Sequence, residues 1–198
     1  GHFSRELVPL IGRDGSVFAS DDGLRRDVSM AGLAKLKPFF DKKYGRVTPG
    51  NSSQITDGAA WLVLASAEAV ERFGLEPLGR IVDSHWAGLE PERMGLGPVH
   101  AATPILQRQG LGLDDLDLLE INEAFAAQVL AVLRETPVPQ EKVNLRGGAI
   151  ALGHPLGASG NRLLLTLARQ LHEDGKKIGA ATLCIGGGQG IAMIIERV

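Results

Sequence analysis

The amino-acid sequence predicts an α/β fold whose five-stranded mixed sheet carries helices on both faces. From residue 59 onward, short apolar runs alternate with helical patterns in the order β-α-β-α-β-α, and a glycine-rich loop, a fourth helix and two strands follow. Alternation of this kind is typical of a mainly parallel sheet. Only a glycine-rich turn separates the last two runs, which predicts a hairpin with an antiparallel edge strand.

The composition excludes two classes of protein, those that bind nucleic acid and those that span a membrane. The 198 residues include 21 basic and 23 acidic side chains, for a net charge of −2, and aromatic residues make up 5% of the chain. Such a chain offers neither a basic stripe nor a base-stacking surface, so nucleic acid is not an expected partner. Because no apolar run is long enough to span a membrane, we expect the protein in the cytoplasm, or in the mitochondrial matrix of a eukaryote.

Residues 1–50 are less regular than the rest. The stretch ELVPLIGRDG (6–15) predicts a short strand that enters a glycine turn. Met30, Leu33 and Leu36 have the spacing of a helix that ends before Pro38. Glycine, proline, asparagine and serine are frequent in residues 42–58, which predicts a loop.

The remaining residues predict regular elements in sequence. Ser66 and Gly74 stand where the N-cap and C-cap of the first helix belong. Gly110 closes the second helix, and Pro104 is assigned to the first turn of that helix. The predicted strands lie within residues 59–66, 79–89, 116–122, 177–186 and 189–198, and the predicted helices within residues 66–74, 97–110, 123–135 and 157–175.

Asn122, in the stretch EINEAF (120–125), is the first candidate for chemistry. A predicted strand carries it to the carboxyl end of the sheet, which is the edge where open α/β sheets bind ligands. Asparagine is also a preferred N-cap, so the alternative is an ordinary capping role for the following helix.

His154, in the stretch GGAIALGHPLGASG (147–160), is the second candidate. A histidine in a stiff glycine-rich loop before a helix can act as a base or as an oxyanion donor. The alternative is a histidine satisfied within a structural turn. The glycines match neither the P-loop nor the dinucleotide-binding pattern, so nucleotide phosphate is not an expected ligand.

Cys184, in the stretch CIGGGQG (184–190), is the third candidate and the only cysteine of the chain. It ends an apolar strand, and the backbone N–H groups of the glycines after it could form an oxyanion hole. The alternative is a buried and inert side chain. A lone cysteine excludes an internal disulfide framework, and the histidines show no metal-ligand spacing, so no metal is expected.

Taken in order, NEAF, GGAIALGHPLGASG and CIGGGQG resemble the carboxyl-terminal motifs of the thiolase family, which includes acetyl-CoA acetyltransferases and 3-ketoacyl-CoA thiolases. The resemblance extends over essentially the whole chain. AKLKP and YGRVT resemble the trifunctional-enzyme β-subunit branch most, although that branch usually carries histidine at the position of Asn122. Membership implies the thiolase fold and CoA-dependent cleavage of 3-ketoacyl-CoA in fatty acid β-oxidation, or the reverse Claisen condensation of acetyl-CoA.

The resemblance implies a role for each motif residue. His154 would take the proton of a nucleophilic cysteine and help hold the thioester oxygen, and Asn122 would position a water beside it. Cys184 would be the general acid and base at the substrate carbon, and the Gly186 N–H would belong to a second oxyanion hole. Coenzyme A would be a substrate, with no bound cofactor, and its contacts would include Ser53, Ala124, Phe125 and Arg25.

The chain departs from the family in one respect: Cys184 leaves no second cysteine to be acylated. We therefore interpret residues 1–50 as the tail of the family's loop domain, residues 51–198 as its C-terminal core domain, and the N-terminal half as absent. The expected partners are that half and, in a complete enzyme, further copies of it in a homo-oligomer. Two alternatives stay open: a non-catalytic domain that binds acyl-CoA or a partner, and a Cys184–His154 thiol hydrolase.

Overall fold

A computed structural model describes all 198 residues. Six strands and six α-helices are connected by loops and short 3₁₀ turns. The strands are β1 (Leu10–Ile11), β2 (Val17–Phe18), β3 (Arg80–Gly88), β4 (Leu118–Ile121), β5 (Ile178–Ile185) and β6 (Gln189–Glu196). The helices are α1 (Met30–Leu33), α2 (Ala67–Phe73), α3 (Gly97–Gln109), α4 (Ala126–Glu135), α5 (Ala149–Leu152) and α6 (Ser159–Glu173).

The main sheet has four strands in the order β3-β6-β5-β4. β4 and β5 are parallel, whereas β6 is antiparallel to both of its neighbours. The predicted mixed sheet and its final hairpin are therefore confirmed. The predicted edge position of the hairpin strand is wrong, because β3 pairs with the free side of β6, and the sheet is not mainly parallel, because only β4 and β5 run in the same direction. Beyond β4, Val143 forms a single parallel bridge to Leu119, which places the start of the glycine-rich loop at this edge.

Helices cover both faces of the sheet, as predicted. On one face, α3 and α4 pack through Ala101, Ile105 and Val132 against apolar residues of β4, β5 and β6. On the other face, the apolar stripe of α6, which includes Leu163 and Leu167, packs on β4, β5 and β6. Each buried Leu or Ile contributes about 1.5–3 kcal/mol, so both helix layers hold the sheet in place.

The predicted strand at residues 59–66 is wrong for this chain, and the sheet has four strands rather than five. These residues form neither a helix nor a strand, and Trp61 and Val63 are 86% and 92% exposed. An apolar run becomes a buried strand only where a sheet edge and a covering layer are available. Residues 1–198 supply neither at this position.

The helix ends follow their capping residues. The Ser66 side chain accepts a hydrogen bond from the Ala69 N–H, and Gly74 and Gly110 end their helices in the left-handed conformation. The predicted place of Pro104 is wrong, since it lies in the interior of α3. There it removes one backbone hydrogen bond, which the packed face of α3 tolerates. Helix α1 spans only one turn of the longer helix that the spacing predicted.

The accessible surface of the chain is 12749 Å². A compact protein of 21.0 kDa would expose about 9,000 Å². The excess is several times the roughly 800 Å² that one partner buries in a standard interface, and much of it lies on residues 1–66. No helix of the chain has the length and hydrophobicity that a membrane span requires.

Candidate active site

Asn122 lies at the carboxyl end of β4, where its backbone N–H donates to the Thr182 carbonyl of β5 at 3.0 Å. The side chain is fully buried. Helix α4 begins only at Ala126, with Phe125 at its N-cap, so the alternative of a capping role for Asn122 is wrong. Its amide is therefore free to face the glycine-rich loop.

His154 is held between α5 and α6 with both ring nitrogens in contact with protein atoms. Its Nδ1 is 2.6 Å from the Ser159 Oγ, and its Nε2 is 3.4 Å from the Asn122 Nδ2. Gly153 precedes it with φ of 93°, and a Cβ at that position would overlap the Thr56 side chain. The glycine is needed here to bring the ring close to Asn122.

The hydrogen bonds of Ser159 favour one neutral tautomer of His154. Ser159 Oγ has one proton, and the Pro155 carbonyl at 3.0 Å is in position to accept it. In that arrangement Oγ accepts a hydrogen bond from Nδ1–H of His154 at 2.6 Å. The lone pair of the neutral ring then lies on Nε2, on the side of Asn122, so Nε2 is the basic atom.

The surroundings of His154 favour this neutral ring. Burial lowers its pKa below the usual value of 6.5, and the positive charge of Arg162 lowers the pKa further. At neutral pH the imidazole is therefore an unprotonated base, which is the state that proton abstraction from a thiol requires.

Cys184 lies near the carboxyl end of β5, at the same edge of the sheet as Asn122. It is 7% exposed, and burial raises the pKa of its thiol. The side chain is thus a protonated thiol at neutral pH, suited to donating a proton rather than to attacking as a thiolate. No hydrogen bond joins it to His154, whose ring contacts Asn122 and Ser159 instead.

The turn after Cys184 exposes backbone that side chains would otherwise cover. Gly186 is exposed, and no atom lies within 4 Å of where its Cβ would stand. Gly187 and Gly188 both have φ of 85°, which favours glycine. This conformation leaves the Gly186 backbone beside Cys184 open to a ligand.

Residues 52–54 lie against both motif loops. The Ser53 N–H donates to the Ala124 carbonyl at 3.0 Å, and the His154 N–H donates to the Gln54 carbonyl at 3.2 Å. Ser52 forms a bridge with Phe125. The structure therefore brings Ser53, Ala124 and Phe125, three of the four residues that the sequence predicts to contact CoA, into one region beside His154.

Arg25, the fourth residue, is not placed by such contacts. It is exposed and takes part in none of the ion pairs of the chain. The nearby Gly23 carbonyl accepts a hydrogen bond from the Gln54 side chain at 3.1 Å, so the segment as a whole lies near the loop of Ser53.

Asn144 and Glu123, which the sequence analysis did not select, connect the loops of Asn122 and His154. The Asn144 side chain accepts from the Ile121 N–H at 2.8 Å and donates to the Ile121 carbonyl at 2.9 Å. Glu123 accepts from the Asn144 side chain at 3.0 Å and from the Ile150 N–H at 3.1 Å. These contacts fix the backbone on both sides of Asn122, and Asn144 adopts φ of 48° to make them.

The fold and this site define an α/β protein with a base, an amide and a thiol at the carboxyl edge of its sheet. Residues 75–197 match the family model of the thiolase C-terminal domain, and residues 1–68 match that of the thiolase N-terminal domain. The chain belongs to the thiolase family, and the expected thiolase fold is confirmed.

Individual thiolases are similar along the whole chain. An acetyl-CoA acetyltransferase of Chromobacterium violaceum is 49% identical over 201 residues, which cover all of this chain and 51% of that protein. The crystal structure of the Bacillus anthracis acetyl-CoA acetyltransferase superposes with a TM-score of 0.96 at 45% identity, over all of this chain and 51% of that one. Human mitochondrial 3-ketoacyl-CoA thiolase in complex with CoA gives 0.90 at 40% identity, over all of this chain and 50% of that one.

The chain spans about half the length of the curated relatives that it matches. The N-terminal family model ends at residue 68, so it includes the unpaired apolar residues 59–66. The segment that was predicted as the fifth strand, and that forms no strand here, thus lies in the part of the chain that resembles the N-terminal domain.

Proposed function

We propose that this chain provides the His154, Asn122 and Cys184 part of a thiolase active site, which transfers acyl groups between a cysteine and coenzyme A. The observation that carries the proposal is the 3.4 Å contact of Asn122 Nδ2 with a neutral His154 Nε2, at the sheet edge that also carries Cys184. The names of the similar proteins support CoA thioesters as the substrate class.

In the degradative direction, His154 Nε2 takes the proton of a cysteine thiol that lies outside these 198 residues. The thiolate attacks the C3 carbonyl of a 3-ketoacyl-CoA, the C2–C3 bond breaks, and its electron pair stays on the acetyl-CoA fragment. Cys184 then gives its proton to that carbanion. Its buried thiol is protonated at neutral pH, as this step needs.

The second half of the cycle restores both groups. Cys184, now a thiolate, takes the proton of an incoming CoA thiol, and the CoA sulfur attacks the acyl-cysteine. The released cysteine thiolate takes its proton back from His154. The Gly186 N–H and the Asn122 side chain would stabilise the oxyanions that form on either side of these steps.

The acylated cysteine must come from another polypeptide segment, because Cys184 is the only cysteine here and its thiol is buried with a raised pKa. We propose the N-terminal thiolase half as that partner. Residues 1–50 would then be the tail of the loop domain and residues 51–198 the core domain that contacts the partner. The large exposed surface of the chain supports an obligate interface of this kind.

The function is tested with acetoacetyl-CoA thiolysis in the presence of CoA. We expect no turnover from the 198-residue chain alone, and turnover after co-expression with the N-terminal half of the Chromobacterium violaceum relative. In that complex, His154→Gln and Cys184→Ser should each lower kcat by at least about a hundredfold. Thiolysis by the chain alone, or unchanged kcat in both variants, would overturn the proposal.

The thiol hydrolase alternative has less support. A Cys–His dyad needs the thiol within hydrogen-bond distance of the imidazole. Here both ring nitrogens contact other residues, and burial disfavours the thiolate of Cys184 by raising its pKa. Hydrolysis of 4-nitrophenyl acetate that disappears in Cys184→Ser would favour this alternative over acyl transfer.

A further inference from the structure

The side chain of Asn144 stands in for a neighbouring strand at the outer edge of β4. Its backbone N–H donates to the Leu119 carbonyl at 3.0 Å, as part of the parallel bridge between Val143 and Leu119. In a longer parallel ladder, backbone groups of the neighbouring strand would bond to Ile121 next. Here the side-chain amide does so instead: Oδ1 accepts from the Ile121 N–H at 2.8 Å, and Nδ2 donates to the Ile121 carbonyl at 2.9 Å. The backbone of Asn144 can therefore turn away, with φ of 48°, into the glycine-rich loop.

Both amide hydrogens and the oxygen of Asn144 have partners. The second Nδ2 hydrogen goes to Glu123 Oε1 at 3.0 Å, and Glu123 Oε2 accepts from the Ile150 N–H at 3.1 Å, in the first turn of α5. Asn122 differs, since it is fully buried and its Oδ1 makes no hydrogen bond. The Asn122 side chain has one polar contact, with His154 Nε2 at 3.4 Å. Its direction is therefore set mainly by the backbone that carries it.

The peptide group before Asn122 is held from both sides of β4. On the side of β5, the Asn122 N–H donates to the Thr182 carbonyl at 3.0 Å. On the outer side, Asn144 holds the Ile121 carbonyl, which belongs to the same planar peptide group as that N–H. Rotation of this plane would turn the Asn122 side chain away from His154, so the bond from Asn144 opposes the loss of that contact.

We propose that Asn144 is a positioning residue for acyl transfer, and that Glu123 connects it to the loop of His154. Through the peptide group before Asn122, Asn144 sets the direction of the Asn122 amide. Through Glu123 and the Ile150 N–H, it sets the start of α5, which leads into His154. The inference rests on the proposed function, because oxyanion stabilisation requires Asn122 and His154 to be aligned before the substrate reacts.

The first test uses the chain alone and needs no turnover. Protonation of His154 should shift the ¹H–¹⁵N signals of the Asn122 side chain, which are those missing from Asn122→Asp, because the two groups lie 3.4 Å apart. Asn144→Gly accepts the same positive φ but lacks the amide, so we expect this pH-dependent shift to be lost. The control Thr136→Val removes only the hydrogen bond to the Val132 carbonyl at the far end of α4, and should keep the shift. A full shift in Asn144→Gly, or its loss in both variants, would overturn the inference.

The second test exchanges donor and acceptor in the contact between Asn144 and Glu123. Asn144→Asp places two carboxylates side by side and should also abolish the shift of the Asn122 signals. Adding Glu123→Gln returns a donor to the contact, and the oxygen of the new amide can still accept from the Ile150 N–H. We expect the double variant to regain at least about half of the shift. No recovery, or a full shift in Asn144→Asp alone, would contradict the connection.

The third test separates positioning from binding in the reconstituted complex. In Asn144→Gly, kcat for acetoacetyl-CoA thiolysis should fall by about ten- to a hundredfold with KM within about twofold, because alignment is lost while substrate contacts remain. Thr136→Val should leave both constants within about twofold. A higher KM with unchanged kcat would contradict a positioning role. Absence of thiolysis in the unsubstituted complex would count against the proposed function, whereas the signals of Asn122 would still decide the role of Asn144.

Discussion

At the scale of single residues, the protonation state of the Cys184 thiol decides whether it can act as a general acid or as a nucleophile. Because burial raises its pKa, the native thiol should react with iodoacetamide at pH 7.5 at least about tenfold more slowly than the same chain unfolded in urea. The matched control is Ser20→Cys in a Cys184→Ala background, since Ser20 is exposed and differs from cysteine by one atom. Native Cys184 that reacts as fast as this control would contradict a buried thiol with a raised pKa.

The sequence identifies the residues whose role depends on a short motif. Asn122, His154 and Cys184 each stand at the end of a predicted strand or within a glycine-rich loop, so their place in the fold follows from their neighbours along the chain. Asn144 and Glu123 act across 21 to 27 residues through side-chain hydrogen bonds. No local pattern indicates such contacts, so these two residues could not be predicted from the sequence.

At the scale of secondary-structure elements, α5 is held to the end of β4 by the Glu123 carboxylate. A Cβ on Gly148 would overlap that carboxyl group, so Gly148→Ala should displace it from the Ile150 N–H. We expect the free energy of unfolding to fall by about 1–3 kcal/mol, measured by urea denaturation.

Gly160→Ala is the matched control for this substitution. Its Cβ meets no atom within 4 Å, and it lies inside α6, where alanine is favoured by up to about 1 kcal/mol. We expect this variant to be as stable as the original chain or more so. Equal stability of Gly148→Ala and Gly160→Ala would contradict the tight packing of α5 on Glu123.

The contact between β4 and α6 should give the stability of the chain a pH dependence. Glu120 has a pKa of about 8 in the folded chain and an ordinary value of 4.5, so the folded state keeps a proton that the unfolded state has lost. Stability from this group is greatest below pH 4.5 and is lost as the pH rises to 8. Between pH 6.5 and 8 the free energy of unfolding should fall, at most by about 1.4 kcal/mol per pH unit.

Two controls isolate the contribution of Glu120. His154 and Cys184 have shifted pKa values too, but the pKa of His154 is lowered and that of Cys184 raised, so both titrate mainly outside this window. Glu120→Gln should remove the fall, whereas Glu141→Gln at an exposed position should keep it. An identical slope in Glu120→Gln, from urea denaturation at several pH values, would mean that Glu120 is ionised in the folded chain.

The predicted elements differ from the structure where distant contacts intervene. The pattern EAFAAQVLAVLRE predicts a helix from residue 123, but α4 starts at Ala126. Residues 122–125 stay outside the helix because Ser52 forms a bridge with Phe125 and the Ser53 N–H donates to the Ala124 carbonyl. A helical pattern in the sequence does not reveal a partner segment about seventy residues away. Because α4 starts only at Ala126, Asn122 is left free for chemistry.

At the scale of the whole molecule, residues 59–66 have the composition of a buried strand but no sheet to join. The pattern of these residues reflects an intrinsic preference for the strand conformation. No strand forms, and Trp61 and Val63 are exposed here. Strand formation depends on the presence of a neighbouring edge, which no property of the segment itself provides. Residues 59–66 lie within the part of the chain that matches the N-terminal thiolase model.

We predict that residues 59–66 become a buried strand when the N-terminal half binds. The chain has two tryptophans, Trp61 in this segment and Trp86 on β3, so each can be observed alone. In Trp86→Phe, the emission of Trp61 should shift to shorter wavelength as the complex forms, because the indole leaves water. In Trp61→Phe, the emission of Trp86, which is 66% exposed on edge strand β3, reports separately whether the partner also covers β3.

Hydrogen exchange tests the same prediction without a substitution. The amides of residues 59–66 make none of the backbone hydrogen bonds of a ladder in this chain, and should exchange within seconds. In the complex their exchange should slow by at least about a hundredfold, because each ladder hydrogen bond must open before exchange. Restored thiolysis with no protection of residues 59–66 would place the interface elsewhere on the exposed surface, so that activity and strand formation would be separate consequences of assembly.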